Sequence, residues 1–127
     1  MTPKIFESEY RFCEILWDNE PIRSGELTRL AGEKLGWKPT TAYTVIKRLA
    51  ERGVLENRGS IVRALVGRDE VRRAEIRELV EKRFDGSLPA FIAAFAGGRQ
   101  ISESEAEELK KLIDGMSRNS EGGRENG

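Results

Sequence analysis

Short hydroxyls, a tyrosine and adjacent cations are concentrated in residues 38–53. On a helix of about 3.6 residues per turn, the apolar residues of this segment share one face and the polar residues share the other. The apolar face comprises Ala42, Val45, Ile46, Leu49 and Ala50. The polar face comprises Thr40, Thr44, Lys47, Arg48 and Glu51, flanked by Thr41 and Tyr43. Such side chains hydrogen-bond phosphates and base edges in the major groove of DNA, although an ordinary solvated helix shows the same pattern.

Both ends of this helix are marked in the sequence. Pro39 suits the first helical position, where a missing N–H is no loss, and this makes Lys38 the N-cap residue. Gly53 can adopt the left-handed conformation that ends many helices. Residues 36–63 contain six basic and two acidic residues, a local excess of four positive charges in a chain of zero net charge. A local basic patch on a neutral chain favours a DNA-binding protein that reads sequence as well as charge.

Two predicted helices precede this segment. Residues 9–18 predict a first helix with Ser8 as its N-cap, and residues 25–35 predict a second with Ser24 as its N-cap. A Gly-Trp pair then leads into the basic helix. Two helices joined by a tight glycine-containing turn, the second with an exposed basic face, indicate a helix-turn-helix.

The hydrophobic period changes after Gly53. Residues 54–58 and 61–66 are β-prone runs separated by a glycine and a serine, which predicts a short hairpin with Arg58 and Arg63 near its tip. A basic hairpin after a helix-turn-helix indicates a winged helix, in which the hairpin (the wing) lies along DNA phosphates. The alternative is that the two arginines merely keep an edge strand from aggregating.

Three further helices are predicted, at 69–84, at 88–96 and after Ser102. The first is heavily charged with a narrow apolar seam, and the second is apolar almost all round. Two short apolar helices cannot form an independent core, so we expect them to pack against the same pair in a second chain. The expected dimerisation residues are Leu88, Phe91, Ile92, Phe95, Leu109, Leu112 and Ile113.

These elements predict a mostly α protein with a small β-hairpin. We expect a winged helix-turn-helix DNA-binding domain at 1–67, a linker helix and helical dimerisation region at 68–116, and a disordered polar tail at 117–127. The expected DNA-contacting residues are Lys38, Thr40, Thr41, Tyr43, Thr44, Lys47, Arg48, Arg58 and Arg63.

The composition argues against an enzyme. The chain has no histidine and one cysteine, which excludes a nucleophile–histidine pair, a histidine-based zinc site and an internal disulfide. Cys13 lies among apolar helical positions, as a small buried hydrophobe would. We predict no metal, since the chain has no histidine and a single cysteine, and no cofactor, since no glycine-rich phosphate loop is present. Without an apolar run of about 18 residues or a signal-peptide pattern, we expect no membrane insertion and a cytoplasmic location.

About residues 5–114 resemble the penicillinase repressor family of bacterial transcriptional repressors. The resemblance rests on Glu9-Tyr10, on Ile15-Leu-Trp17, on the Ile-Ser-x-x-Glu opening of the last helix, and above all on the run from Trp37 to Leu55. It implies a homodimer whose winged helices bind an operator palindrome and whose C-terminal helices hold the two copies together.

The resemblance also implies how such a repressor is released. In the best-known branch a membrane-bound β-lactam sensor triggers proteolysis within the dimerisation region. The family's scissile bond, between an asparagine and a phenylalanine, corresponds here to Ala94-Phe95. Because alanine replaces the asparagine, we expect a sensor protease of this kind to cleave the chain poorly.

We therefore expect a homodimeric DNA-binding transcriptional repressor that an inducing signal releases from its operator. The alternative is a winged-helix module that docks on a protein instead of DNA, because a basic wing and an exposed helix can serve either purpose.

Overall fold

The structure, a computed structural model, describes the backbone of residues 2–126 and the side chains of residues 2–118. The first half contains α1 (Glu7–Asn19), β1 (Ile22–Arg23), α2 (Ser24–Leu35), α3 (Pro39–Glu51), β2 (Leu55–Arg58) and β3 (Ile61–Ala64). The second half contains α4 (Arg68–Phe84), α5 (Leu88–Ala96) and α6 (Glu103–Asn126). The predicted fold class, a mostly α protein with a small β element, is confirmed, and the first half has the architecture of a winged helix.

The small sheet has three antiparallel strands in the order β1-β3-β2. The hairpin of β2 and β3 turns through Gly59 and Ser60, which both have positive φ, 55° and 65°. Two-residue turns of this kind match the right-handed twist of the strands that they join. The hairpin agrees with the sequence prediction, whereas β1 is too short to produce a periodic signal.

The core lies between the first three helices and one face of the sheet. Its largest fully buried side chains are Phe12, Leu16, Leu27, Leu49, Leu55, Val54, Val62 and Val71, together with Cys13. Burial of each large apolar side chain stabilises the fold by about 1.5–3 kcal/mol. Trp37 covers this core by stacking on Phe12, with ring centroids 5.3 Å apart. The complete burial of Cys13 confirms that it is a small buried hydrophobe.

Three helices begin earlier than the sequence predicts: α1 by two residues, and α2 and α4 by one residue each. α1 begins at Glu7 with Phe6 as its N-cap, because the Glu9 carboxylate accepts a hydrogen bond from the Phe6 N–H at 3.0 Å. Ser8, the predicted N-cap, therefore lies inside the first turn. Ser24 is likewise the first residue of α2 and not its N-cap, and its N–H donates to the Ser60 carbonyl oxygen at 2.8 Å.

The N-terminal end of α4 is anchored to the winged helix. The Trp17 indole N–H donates to the Val66 carbonyl oxygen at 2.9 Å. Arg68 pairs with Asp18 at 2.7 Å, and Val71 is buried. These contacts hold the first turn of α4 against α1 and the segment that follows β3.

The helices after α4 leave most of their apolar side chains exposed. α5 packs against the end of α4 through an edge-to-face contact of Phe84 and Phe91, whose ring centroids are 5.6 Å apart. The hydroxyl oxygens of Ser87 and Ser102 accept hydrogen bonds from the Ala90 and Glu105 N–H groups, both at 3.1 Å, and so cap the first turns of α5 and α6.

α6 is longer than the sequence predicts. It continues to Asn126 and so occupies most of the segment 117–127, for which the sequence predicts a disordered tail. A helix satisfies its own backbone hydrogen bonds, so it can continue without apolar side chains. None follows Met116 to signal the continuation.

Candidate nucleic-acid interface

α3 has one buried face and one exposed face, as the sequence predicts. The buried face consists of Ala42, Val45, Ile46 and Leu49. The seven residues predicted to contact DNA from this segment are all exposed: Lys38, Thr40, Thr41, Tyr43, Thr44, Lys47 and Arg48. Packing of the apolar face against α2 and β2 therefore fixes which side chains the helix presents to solvent.

The ends of α3 also agree with the prediction. Pro39 is the first helical residue and Lys38 is the N-cap, without a side-chain hydrogen bond. Gly53 follows the helix with φ of 80°, a conformation that an L-residue with a Cβ rarely adopts. Because the Lys38 side chain makes no capping hydrogen bond, the backbone N–H groups in the first turn of α3 are free, and they favour an anion nearby.

The hydroxyls on α3 differ in what they can still bind. Thr44 donates its hydroxyl hydrogen to the Thr40 carbonyl oxygen at 2.8 Å. The Thr44 oxygen is then left as an acceptor, which suits an amino group on a base edge better than a phosphate. Together with Thr41 and Arg48, these two threonines line a shallow groove on the exposed surface.

Tyr43 extends from α3 towards the first turn of α2. Its hydroxyl would lie 3.8 Å from a Cβ placed on Gly25, and the side chain is about half exposed, at 48%. The adjacent Ser24 is hydrogen-bonded to Ser60 in the wing turn. The exposed face of α3, the start of α2 and the wing therefore meet in one region of the surface.

The cations of α3 divide into two groups. Among the described side chains, Lys47 and Arg48 form no ion pair, so both are available to an anionic partner. Arg52, which the sequence places in the same basic patch, forms an ion pair with Glu9 of α1 and also donates to the Lys4 carbonyl oxygen at 3.0 Å. Arg52 therefore stabilises the fold, and its charge is neutralised within the domain instead of adding to the basic surface.

The wing presents both of its predicted arginines to solvent. Arg58 lies immediately before the turn, is 83% exposed and pairs with Glu56 at 3.3 Å. Arg63 is also exposed and stands opposite Glu56 in the hairpin register, three residues beyond the turn. Since Glu56 lies between the two arginines, the hairpin contributes one net positive charge to this face.

One cation beside the wing was missed by the sequence analysis. Arg23 is exposed, and β1 places it opposite Ile61 on the other edge of β3. The pairing joins segments about 40 residues apart along the chain, and no local pattern of the sequence signals it.

The predicted dimerisation residues lie on α5 and α6, and most of them are exposed. The exposed fraction is above 36% for Leu88, Ile92, Phe95, Leu112 and Ile113, and it is 36% for Leu109. Phe91 is half-buried against Phe84. A groove of apolar character is lined by Leu88, Pro89, Ile92, Ala93 and Ile113. Large apolar side chains concentrated on one exposed surface typically mark a protein–protein contact.

The Ala94-Phe95 bond lies within the last turn of α5, which ends at Ala96. Phe95 is 61% exposed, with the Arg99 guanidinium 5.4 Å from the centroid of its ring. The side chain is thus reachable from solvent, while the bond itself is part of a helix.

The described part of the chain contains no group of three His, Cys, Asp or Glu side chains placed to hold a metal ion. Burial, reinforced by the negative charge of Glu9, raises the pKa of the Cys13 thiol to about 12, so this sulfur is neither a ready nucleophile nor a ready ligand. None of the described helices combines the length and the apolar character that a membrane span requires.

Two comparisons with known proteins bear on this surface. The sequence model of the family described as Penicillinase repressor matches residues 5–115. A curated penicillinase repressor of Bacillus licheniformis is 21% identical over 116 residues, which cover 88% of this chain and 91% of that protein.

Proposed function

Because the chain belongs to the penicillinase repressor family, we propose that it is a homodimeric transcriptional repressor that binds an operator palindrome through its winged helices. The observation that carries the proposal is the exposed face of α3. It combines hydroxyls, a phenol and two cations that form no ion pair with any described side chain, on a helix whose opposite face is buried in the core.

In this proposal α3 enters the major groove. A helix with its side chains is about 10–12 Å wide, and the major groove of B-DNA is about 12 Å wide. Lys47 and Arg48 bind phosphates or guanine edges, and Thr44 accepts a hydrogen bond from a base amino group. The wing lies beside the groove, where Arg58 and Arg63 contact the sugar–phosphate backbone.

Two copies of the chain read the two halves of the palindrome. The two-fold symmetry of a homodimer matches the symmetry of such an operator. The exposed apolar side chains of α5 and α6 supply the contact between the copies, because the side chains described for one copy leave them open to solvent. The anchored start of α4 holds each winged helix at a defined position relative to this contact.

An inducing signal relieves repression in this proposal. Cleavage at Ala94-Phe95 by a membrane-bound sensor protease would divide α5, but the alanine at this bond makes such cleavage inefficient. The bond must also leave its helical conformation to enter the extended site of a protease. We therefore propose that a different signal, or a protease of different specificity, releases this repressor.

A salt series tests the proposal against the docking of a protein partner. The purified chain is titrated with the DNA upstream of its own gene and with a scrambled duplex of equal length and composition, at several concentrations of salt. A repressor is expected to prefer the upstream DNA, with log K falling linearly as log[salt] rises. Equal and weak binding to both duplexes at every salt concentration would contradict sequence-specific DNA binding and favour the protein-docking module.

A further inference from the structure

The register of the sheet places Arg23 in one row with the wing. Arg23 stands directly opposite Ile61, and Ile61 stands directly opposite Arg58 on the other side of β3. Side chains at paired positions of neighbouring strands project from the same face of a sheet. Since strands lie about 4.8 Å apart, the Cα atoms of the two arginines are separated by about 10 Å.

This row projects into solvent and not into the core. The neighbouring row contains Ile22 and Val62, which are 8% and 0% exposed and therefore define the core face. Side chains alternate between faces along a strand, so Arg23 and Ile61 must point outwards. Arg63, two residues after Ile61, shares the outward face, and all three arginines are exposed.

Arg23 supplies an unneutralised charge on this face. Glu56 pairs with Arg58 at 3.3 Å and also faces Arg63, so one acid serves two bases of the hairpin. Among the described side chains Arg23 has no carboxylate partner. The acids nearest to it along the chain are engaged elsewhere, because Glu20 accepts the Ala64 N–H at 2.9 Å and Glu26 binds Arg29.

Arg23 lies where the wing and α3, the two parts of the candidate interface, both approach the start of α2. It is the N-cap residue of α2, immediately before Ser24, whose N–H donates to Ser60 in the wing turn. One residue after Ser24, Gly25 faces the Tyr43 hydroxyl of α3. Arg23 therefore extends the basic face of the hairpin towards the point where α3 approaches.

We infer that Arg23 is a further DNA-binding residue, which contacts a backbone phosphate on the side of the sheet opposite to the hairpin edge. The inference rests on the proposed function, since it assigns one more contact to the same interface. A phosphate contact contributes to affinity for any DNA sequence and to the salt dependence of binding.

The test compares four proteins: wild type, Arg23→Ala, Arg23→Lys and Arg77→Ala. Arg77 is a control arginine, exposed on the linker helix α4 and outside the sheet. Each protein is titrated with upstream and scrambled DNA over the same salt series, and its thermal midpoint is measured to verify folding. For Arg23→Ala we expect weaker binding to both duplexes by a similar factor, and a salt slope smaller by about one unit. Arg23→Lys should retain most of the slope, because an ammonium also binds phosphate, and Arg77→Ala should match wild type.

Two outcomes overturn the inference while leaving the proposed function intact. One is wild-type affinity and slope in folded Arg23→Ala. The other is a loss of preference for the upstream duplex at unchanged salt slope, which would indicate a base contact instead. If wild-type protein itself binds neither duplex, the proposed function fails, and that result is seen before any variant is considered.

Discussion

The carboxylate of Glu9 in α1 and the guanidinium of Arg52 at the end of α3 form a two-point ion pair. One of its hydrogen bonds, from Arg52 Nη1 to Glu9 Oε2, measures 3.1 Å. The same guanidinium lies 5.2 Å from the centroid of the Phe6 ring and donates to the Lys4 carbonyl oxygen. The N-terminal segment, the first helix and the end of α3 are thus joined at one cation, which fixes the C-terminal end of the candidate DNA-reading helix.

Glu9→Gln is expected to weaken this junction in a pH-dependent way. Burial alone would raise the pKa of the Glu9 carboxyl, but the hydrogen bonds from Arg52 and the Phe6 N–H and the charge of Arg52 outweigh it and hold the pKa below its usual value. The carboxylate therefore stabilises the fold at pH above the unfolded-state pKa, and this contribution is lost as the pH falls through the folded-state pKa. At pH 7 the substitution should lower the free energy of unfolding by about 1–3 kcal/mol.

Urea unfolding at pH 7 and at acidic pH measures this effect. The difference between wild type and Glu9→Gln should shrink as the pH falls below the ordinary pKa of a glutamate, about 4.3, and through the lower folded-state pKa of Glu9. Glu33→Gln is the control, because Glu33 is an exposed acid bound to Arg29 on the surface of α2. A difference that stays constant with pH would show that packing, and not the ion pair, accounts for the loss.

Local periodicity predicted most of the winged helix. The 3.6-residue pattern of α3, the proline that starts it and the glycine that follows it are all properties of adjacent residues. The hairpin could be predicted for the same reason, since its strands and turn are consecutive in the chain. The exposed face of α3 then followed directly from the position of its apolar residues.

The features that sequence reasoning missed depend on contacts between distant residues. Arg52 counts as a surface cation in the sequence, because the acid that neutralises it lies 43 positions away. The start of α1 moved to Glu7 because a carboxylate, and not a serine hydroxyl, satisfies the backbone N–H before it. Arg23 joined the candidate interface through a two-residue strand that has no period of its own.

Lys47→Ala and Arg48→Ala are each expected to weaken DNA binding without unfolding the protein. Both side chains project from the exposed face of α3 and form no ion pair among the described residues. Loss of a phosphate contact lowers the salt slope by about one unit, whereas loss of a base contact costs about 1–3 kcal/mol at one base pair and relaxes sequence preference there. Band-shift titration distinguishes the two, with Lys111→Ala on α6 as the control. If both variants bind the operator as tightly as wild type does, α3 is not the helix that reads the DNA sequence.

Gly59→Ala is expected to destabilise the winged helix through the turn alone. Gly59 has φ of 55°, and a Cβ placed there meets no atom within 4 Å, so the cost is conformational and not steric. A left-handed backbone costs an L-residue about 1–2 kcal/mol relative to glycine. Gly25→Ala is the matched control, because its φ is not positive and its added Cβ meets only ordinary contacts. The thermal midpoint of Gly59→Ala should be lower than that of Gly25→Ala. The opposite order would contradict the left-handed turn at Gly59.

Ala94→Asn is expected to increase cleavage of the 94–95 bond by an activated sensor protease of the penicillinase type. The substitution restores the residue that the family carries before the scissile bond, at an exposed position of α5. Ala93→Asn, one position earlier and also exposed, controls for a general loosening of the helix. Efficient cleavage of the wild-type chain at this bond, measured by mass spectrometry of the fragments, would show that the asparagine is not required.

Ile92→Lys combined with Ile113→Lys is expected to separate the proposed dimer. Both isoleucines line the apolar groove between α5 and α6 and are exposed, at 43% and 59%, so charges can be placed there without breaking the fold of one chain. Phe91 is less suitable, because it packs on Phe84 within its own chain. Burial of each large apolar side chain between two copies is worth about 1.5–3 kcal/mol, and a buried ammonium costs more than that gain.

Sedimentation equilibrium and band-shift titration of the same preparations measure the two consequences. The double variant should sediment as a monomer and bind the full palindrome about 10²–10⁴-fold more weakly, because the second half-site no longer binds at high effective concentration. Its affinity for an isolated half-site should not change, since the winged helix is intact. Leu65→Lys, at an equally exposed leucine outside α5 and α6, should remain a dimer. A double variant that stays a tight dimer places the interface elsewhere, and a monomer with wild-type operator affinity would mean that dimerisation does not hold this protein on DNA.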